Sequence, residues 1–205
     1  IGWTPSSDIV NALEPVAPVT QKAIMVFGSD DNGATATGIS NLISSSGVVA
    51  SDTSAVATAK LMSMAATYGF DKAVYAFGDN GSNAGNTVNN TRNLVSNQGV
   101  VASTVTGAGT SRNGGAATEY GTSGQAVIAF GYTASAMTNL SNLVSNQGVV
   151  ASDTTGVGTA RYYPAGGRYG VGLGIFGYGS DNNRVSMSNK VSSSGVIASD
   201  TSGVG

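Results

Sequence analysis

One phrase recurs along this chain, and its recurrence constrains the fold more than any other feature. It reads NLVSNQGVVASDTTGVGTAR at Asn142–Arg161, and close copies stand at Asn41–Lys60, Asn93–Arg112 and Lys190–Gly205. Such self-similarity is typical of repeat proteins, in which each copy is one supersecondary unit that buries its apolar face against its neighbours. The sequence therefore predicts a tandem array of four similar units.

A short apolar run ending in Phe-Gly precedes each copy. The phenylalanines are separated by 50, 53 and 46 residues, close to the roughly 50 residues of a kelch-type blade. A run that is apolar on both faces indicates a strand covered on both sides, as an inner propeller strand is. The runs are AIMVFG at 23–28, AVYAFG at 73–78, AVIAFG at 126–131 and LGIFG at 173–177.

The rest of each cycle predicts three further strands. Alternation at Val185, Met187, Asn189 and Val191 indicates a half-buried strand, GVVAS indicates a third strand, and a fourth is expected after Thr-Ala-Arg. The equivalent segment 55–67 (AVATAKLMSMAAT) contains good helix formers. Its counterparts carry paired glycines and a proline, so we expect all copies to be extended.

These units predict an all-β propeller of about four kelch-like blades. We expect repeats at about 21–71, 72–124, 125–170 and 171–205. Residues 1–20 match the repeat poorly, and we expect them to complete the last blade and close the ring, which removes exposed sheet edges. The alternative is that the chain is a piece of a longer array.

Composition excludes several functions. Lys and Arg number 9 against 11 Asp and Glu, too few to form the basic face that nucleic acid requires. No run approaches the roughly 18 to 20 apolar residues of a membrane helix, so no membrane insertion is expected. The absence of Cys and His removes Ser-His-Asp and Cys-His nucleophiles and the usual zinc ligands. We therefore expect a protein that is not an enzyme and has no cofactor, with a carboxylate-based glycan lyase or hydrolase as a distant alternative.

The order of a glycine-turn strand, a Thr-Ala-Arg landmark and an apolar strand ending in glycine resembles kelch repeats, with Phe-Gly where kelch has Gly-Gly. The phrase at Asn142–Arg161 is similar to repeats in kelch-like tail and fibre proteins of tailed bacteriophages, particularly cyanophages. This resemblance covers roughly residues 21–205. It implies a structural or recognition module on the virion surface, serving host attachment, with other virion proteins or a host surface glycan as partners. The alternative is a secreted or cell-surface lectin with repeated weak sites.

Four tyrosines are the best candidates for a binding site. They are predicted to lie in or beside loops, where flat amphipathic rings stack on sugars or anchor a protein partner. The other interpretation is packing at the blade rims. The four residues are Tyr132, Tyr162, Tyr163 and Tyr178.

Loops rich in Asp and Asn are weaker candidates for a Ca²⁺ site. They supply oxygen ligands but lack the complete alternating pattern with a terminal Glu, so hairpin turns are the favoured interpretation. The candidate ligands are Asp30, Asp31, Asp79 and Asp181.

Two further sets of charged residues recur at equivalent positions. Asp52, Asp153 and Asp200 are interpreted as turn residues that accept backbone N–H bonds, rather than as catalytic or metal-binding carboxylates. The cations Lys60, Arg112 and Arg161 could pair with those aspartates or display a basic ring, but they are interpreted as structural, with a packed stem and a head that is solvated or bonded to a carbonyl. The second copy keeps Arg112 but has Thr104 where the others have Asp, so such pairing is not obligatory.

Overall fold

The computed structural model describes residues 23–29, 35–54, 57–81 and 87–203. These residues form an all-β structure of small antiparallel sheets without a helix, as the sequence predicts. The strands are β1 Ala23–Ser29, β2 Ala36–Ile43, β3 Met64–Tyr68, β4 Lys72–Asp79, β5 Val88–Val95, β6 Val105–Thr106, β7 Ala116–Tyr120, β8 Gln125–Ala129, β9 Ser141–Val144, β10 Ala165–Gly170, β11 Leu173–Gly177 and β12 Ser188–Val191.

The strands form four sheets that follow one another along the chain. Sheet I holds β1 and β2, sheet II holds β3 to β6, sheet III holds β7 to β9, and sheet IV holds β10 to β12. In sheets II to IV a hairpin leads into a third antiparallel strand, so the Phe-Gly strand lies in the centre of the sheet. The expected order, with the Phe-Gly strand as the first and innermost, is therefore wrong for these sheets.

Each sheet combines strands from two consecutive sequence copies. The strand that follows the Thr-x-Lys/Arg landmark of one copy pairs with the Phe-Gly strand of the next: β3 pairs with β4, β7 with β8, and β10 with β11. The helix-forming letters at 55–67 do not prevent this, because residues Met64–Tyr68 form strand β3. The prediction of an extended segment is confirmed there, since tertiary pairing overrides local propensity.

The Phe-Gly pair forms a bulge with left-handed backbone. Phe27, Phe77 and Phe130 have φ of 69°, 59° and 64°, and the glycine after each also has a positive φ. In the fourth unit Tyr178, with φ of 61°, has this conformation. The sequence match placed Phe176–Gly177 at that position. The structure corrects it by two residues to Tyr178–Gly179, because the LGIFGYG segment contains two aromatic-glycine pairs.

The GVV segments form single bridges rather than a third full strand. Val101 pairs with Val95, and Val150 pairs with Val144, as isolated antiparallel bridges. The chain is held there by the turn before it, in which the Ser96 hydroxyl accepts the Val100 N–H at 3.2 Å. In the second and third copies one valine of GVV is buried and the other exposed: Val100 is 61% exposed and Val101 is 7% exposed.

The sheets stack face to face, and each junction has its own hydrophobic cluster. Tyr75 and Val95 of sheet II pack against Ile24 and Val26 of sheet I, and the junctions between sheets II and III and between sheets III and IV are built in the same way. Backbone bonds also join successive hairpin turns, since Gly69 N donates to Gly124 O at 2.8 Å. The core is therefore a row of interfaces between neighbouring sheets.

A closed ring is not seen in the described part of the chain. Met25 on sheet I and Tyr169 on sheet IV are 59% and 48% exposed, so the outer faces of the two terminal sheets are not packed together. The expected closing segment, residues 1–20, lies outside the described residues, and so does the predicted proximity of Val10 and Leu13 to the last unit.

Candidate functional site

Three of the four candidate tyrosines line one surface groove, and the fourth lies beside it. The ring centroids of Tyr132 and Tyr162 are 6.3 Å apart, and those of Tyr162 and Tyr163 are 4.7 Å apart. The groove has a volume of about 500 Å³. We call it the tyrosine groove; its lining residues are Tyr162, Tyr163, Tyr178, Gly179, Ser180, Arg184 and Val185.

The backbone around the bulge brings these rings together. Tyr162 and Ser180 form a two-way bridge, with Tyr162 N donating to Ser180 O at 3.0 Å and Ser180 N to Tyr162 O at 2.9 Å. Asn113 and Tyr132 form the equivalent bridge one sheet earlier. Because the sheets stack in register, the residue after the landmark cation of one unit lies beside the residue that follows the bulge of the preceding unit. Tandem repetition therefore places Tyr132 and Tyr162 in contact although they are distant in sequence.

Tyr163 is held in place by the preceding units. Its N–H donates to Gly114 O at 2.6 Å, and its Oη lies 3.1 Å from the Met62 sulfur. A Cβ on Gly114 would lie 2.9 Å from the Tyr163 ring, so only glycine leaves room for the ring there. The φ of 52° at Tyr163 belongs to the repeat, since Met62 and Gly114 at the equivalent positions have φ of 54° and 60°.

The groove offers aromatic faces with hydrogen-bonding groups at their edge. Tyr163 and Tyr178 are 54% and 61% exposed. The pKa of Tyr163 is raised, mainly by partial burial of the phenol and secondly by the nearby Tyr162, so the phenol stays neutral. Arg184 is exposed and forms no ion pair with the described residues. Flat rings beside a guanidinium can stack on a planar or apolar ligand face and donate hydrogen bonds to its oxygens.

The recurring cations occupy the opposite kind of environment, because they are fully buried. The guanidinium of Arg112 lies 4.0 Å from the Phe77 ring centroid, donates through Nε to Phe130 O at 3.0 Å, and donates through Nη2 to Asn142 Oδ1 at 2.6 Å. Its Nη1 is 3.7 Å from Asp153 Oδ1. Burial lowers the pKa of Arg112 to about 10, which keeps it charged at neutral pH. We call such an arrangement a cation site.

The cation site recurs at the other junctions described. Arg161 contacts Phe130, Asn189 and Asp200 in the same way. Lys60 donates to Asn93 Oδ1 at 2.8 Å. All three cations are fully buried, which is consistent with the interpretation as structural residues. The heads of Arg112 and Arg161 bond to backbone carbonyls, which was one of the two predicted arrangements, and none of the three heads is solvated.

Asp153 and Asp200 each accept a backbone N–H, as predicted, but from the preceding copy across the junction rather than within a turn of their own. Asp153 Oδ2 accepts the N–H of Thr110 at 2.9 Å, and its Oδ1 accepts Asn142 Nδ2 at 3.0 Å. Burial alone would raise the pKa of Asp153, but these hydrogen bonds and the charge of Arg112 together lower it. Asp200 has the same contacts with Thr159. Asp52 accepts Asn41 Nδ2 at 2.7 Å on the exposed side of sheet I.

The candidate Ca²⁺ ligands are not brought together where they are described. Asp79 Oδ1 accepts the Gly81 N–H and the Thr87 hydroxyl, and its Oδ2 accepts Asn113 Nδ2 at 3.2 Å. Asp181 accepts the Asn183 N–H at 3.1 Å, as in a turn. Asp30 and Asp31 lie outside the described residues. In the part of the chain that is described, no group of three or more acidic, His or Cys side chains is arranged to hold a metal ion.

Two features were not predicted from the sequence: one lining residue of the tyrosine groove and the partner of each cation. Arg184 was not singled out, although its position after the Asp-Asn-Asn loop places it near the bulge. Arg112 and Arg161 pair with the Asp of the next copy rather than with the Asp of their own, and Lys60 donates to Asn93 of the next copy. The sequence contains a signal for this pairing between copies, because Lys60 replaces Arg in the landmark just before the copy that has Thr104 instead of Asp.

The comparisons with known proteins leave the site to be interpreted from its own geometry. No family model matches the chain, and no curated protein matches it. Among the described residues, no helix has the length and apolar character to cross a membrane.

Proposed function

We propose that this chain is a non-enzymatic recognition module of a phage virion, part of a tail fibre or another surface protein that attaches to the host. The observation that carries the proposal is the tyrosine groove, with exposed rings at Tyr163 and Tyr178 on a rigid stack of sheets. The resemblance of the repeats to kelch-like phage tail proteins supports the virion location. The chain then acts at the virion surface or outside the cell.

We also propose that the sheets correspond to kelch-like propeller blades. Face-to-face stacking of small antiparallel sheets, with the Phe-Gly strands of sheets II and III covered on both sides, supports this proposal. Closure by residues 1–20 and the number of blades stay predictions.

The groove fits the sugar face of a surface glycan. A pyranose presents an apolar C–H face that packs on tyrosine rings, while its hydroxyl groups accept hydrogen bonds from phenols and from a guanidinium. Tyr163 is preorganised by its contacts with Gly114 and Met62, which reduces the entropy lost on binding. A single groove of this kind binds weakly, so useful attachment requires several chains on one particle.

A glycan array probed with the purified full-length chain tests the recognition function. We expect selective binding that is lost in Tyr163→Ala and in Tyr178→Ala. Phe70→Ala is the matched control, because Phe70 is also exposed, at 73%, but lies in a hairpin turn outside the groove. Binding that survives both groove substitutions would reject the groove as the site.

The second candidate is a secreted or cell-surface lectin, which the same groove favours. The two candidates differ in location, so an antibody raised against the chain separates them. Labelling of purified phage particles supports the virion protein, whereas labelling of cell surfaces or culture medium alone supports the lectin.

A further inference from the structure

Every internal junction joins two different faces. We name the side of a sheet that packs on the next sheet along the chain its forward face, and the opposite side its rear face. Between sheets II and III, the forward face supplies Val74 and Phe77, and the rear face supplies Ile128, Val144 and Val150. Between sheets III and IV the equivalent positions are used again. One kind of interface is therefore repeated along the array.

The rear face of sheet I has the same chemistry but no described cover. Met25 occupies the position of Ile128 and Phe176, yet it is 59% exposed where those residues are fully buried. Val49 occupies the position of Val150, and the two are 53% and 4% exposed. Two large apolar side chains that are buried at every internal junction are thus left on the surface of sheet I.

The forward face of sheet IV is exposed in the complementary way. Tyr169 is 48% exposed, whereas its equivalents Tyr68 and Tyr120 are each 5% exposed. Tyr178 is 61% exposed, whereas its equivalent Phe130 is 1% exposed. In the part of the chain that the structure describes, one face of each kind is therefore left unpaired.

A ring-and-glycine contact makes the two faces specific for each other. A Cβ on Gly148 would lie 3.0 Å from the Tyr68 ring, and one on Gly195 would lie 2.9 Å from the Tyr120 ring. Gly47 has the same backbone conformation, with φ of 79°, but no described atom lies within 4 Å of a Cβ placed on it. Among the described residues, Gly47 therefore lacks a tyrosine ring packed on it, and Tyr169 lacks a glycine on which to pack.

We propose that the rear face of sheet I binds the forward face of sheet IV of a second copy of this chain, with Tyr169 of one copy seated over Gly47 of the other. The junction continues the interface that the chain already uses between its own sheets. It is heterologous, so each dimer keeps one free face of each kind and can extend into a filament or close into a ring. A joined forward face covers Tyr178, so the tyrosine groove is complete only on a copy whose forward face is free.

This junction is weaker than the internal ones. Lys190 stands where Leu94 and Leu143 stand on the forward faces of sheets II and III, and Asp52 has no described cation, whereas Asp153 has Arg112. A lysine stem still packs on an apolar surface while its head stays in water. The association is therefore reversible and depends on protein concentration.

Sedimentation velocity of the full chain over a range of concentrations tests the proposal, with Met25→Arg blocking the rear face and Tyr169→Arg blocking the forward face. Wild type is expected to show a mass that rises with concentration. Each variant alone is expected to remain monomeric, because its one intact face meets only a blocked partner. An equimolar mixture of the two variants is expected to form a dimer and nothing larger, since one intact face of each kind remains.

Val100→Arg is the control, because Val100 is 61% exposed on an internal sheet and should leave association unchanged. A wild type that is monomeric at every concentration would overturn the proposal. So would variants that associate like wild type, or a mixture that stays monomeric. A fall in melting temperature for both variants without any change in mass would instead indicate that the two faces meet within one chain.

Discussion

The first and second junctions of the array hold a buried cation in two different ways. In the second junction, Arg112 lies between the Phe77 ring and the Asp153 carboxylate. In the first junction, Lys60 faces Asn93, and the hydroxyl of Thr104 takes the place of the carboxylate. The acceptors keep one bond in common, since Thr104 Oγ1 accepts the Thr58 N–H as Asp153 accepts that of Thr110. The guanidinium of Arg112 in addition donates to the Phe130 and Thr110 carbonyls.

The difference shows that cation and acceptor change together across a junction. A guanidinium stays charged and has five donors, so it needs a carboxylate and several oxygens when it is buried. An ammonium can lose its proton, and burial lowers the pKa of Lys60 to about 8. A lysine therefore tolerates a neutral acceptor that would leave an arginine without a counter-charge.

The largest loss of stability is expected from removing the phenylalanine ring that packs against the buried cation. Phe77→Ala should destabilise the protein by about 3–5 kcal/mol, because Phe77 is 1% exposed and its removal leaves a cavity and an unsupported guanidinium. Phe27→Ala should cost less, because Phe27 is only partly buried in the first junction. Urea unfolding of both variants measures the difference. Equal losses of unfolding free energy at the two positions would mean that the two rings contribute equally to their junctions.

The next largest loss of stability is expected from removing the cation itself, and this loss should differ between the two junctions. Arg112→Met should cost about 3 kcal/mol, because it leaves Asp153 without its counter-charge and Asn142 without a donor. Lys60→Met should cost about 1 kcal/mol or less, since the lost bond to Asn93 is offset by the removal of a buried ammonium. Thermal unfolding at pH 7 gives both values. A larger loss for Lys60→Met than for Arg112→Met would contradict the comparison.

The sequence was sufficient to predict the repeated β-units, because their signals are local. Apolar runs, period-2 alternation and turn residues are all read within a few positions, and β4 and β8 are accordingly buried strands. The four tyrosines could likewise be singled out, since each lies close to a bulge or a bridge.

Contacts between copies were harder to predict. Which Asp meets Arg112 depends on how far one sheet is displaced from the next, and that displacement is set by packing rather than by any one segment. The two aromatic-glycine pairs at Phe176 and Tyr178 were ambiguous for a related reason. Only the positive φ at Tyr178 and its carbonyl, which accepts Arg161 Nε at 2.8 Å, identify it as the bulge residue.

Exchanging acceptors tests whether cation and acceptor are coupled. Asp153→Thr should cost about 2 kcal/mol, because Arg112 loses its carboxylate while the threonine hydroxyl keeps the bonds to Thr110 and Asn142. Combined with Arg112→Lys, which recreates the pair at Lys60 and Thr104, it should cost less than the sum of the two single changes. A double-mutant cycle measured by urea unfolding gives the coupling energy. A coupling energy of zero would show that the two positions vary independently.

The smallest expected effect is a pH dependence that only the lysine junction has. Because the pKa of Lys60 is about 8 in the folded protein against an ordinary value of 10.5, the unfolded chain binds more protons than the folded chain between those two values. Stability should therefore rise with pH in this range, by about 1.5 kcal/mol between pH 8 and 9.5, and the rise should fade below about pH 7.

Unfolding at closely spaced pH values from 7 to 9.5 measures this rise, and stopping there avoids the titration of the buried tyrosines, whose raised pKa values oppose it. Lys60→Met should abolish the rise because it removes the titrating group. Thr104→Asp should reduce it, since a carboxylate beside Lys60 raises the lysine pKa towards its ordinary value. A rise that persists in Lys60→Met would assign the titration to another group and would remove the electrostatic distinction between the two junctions.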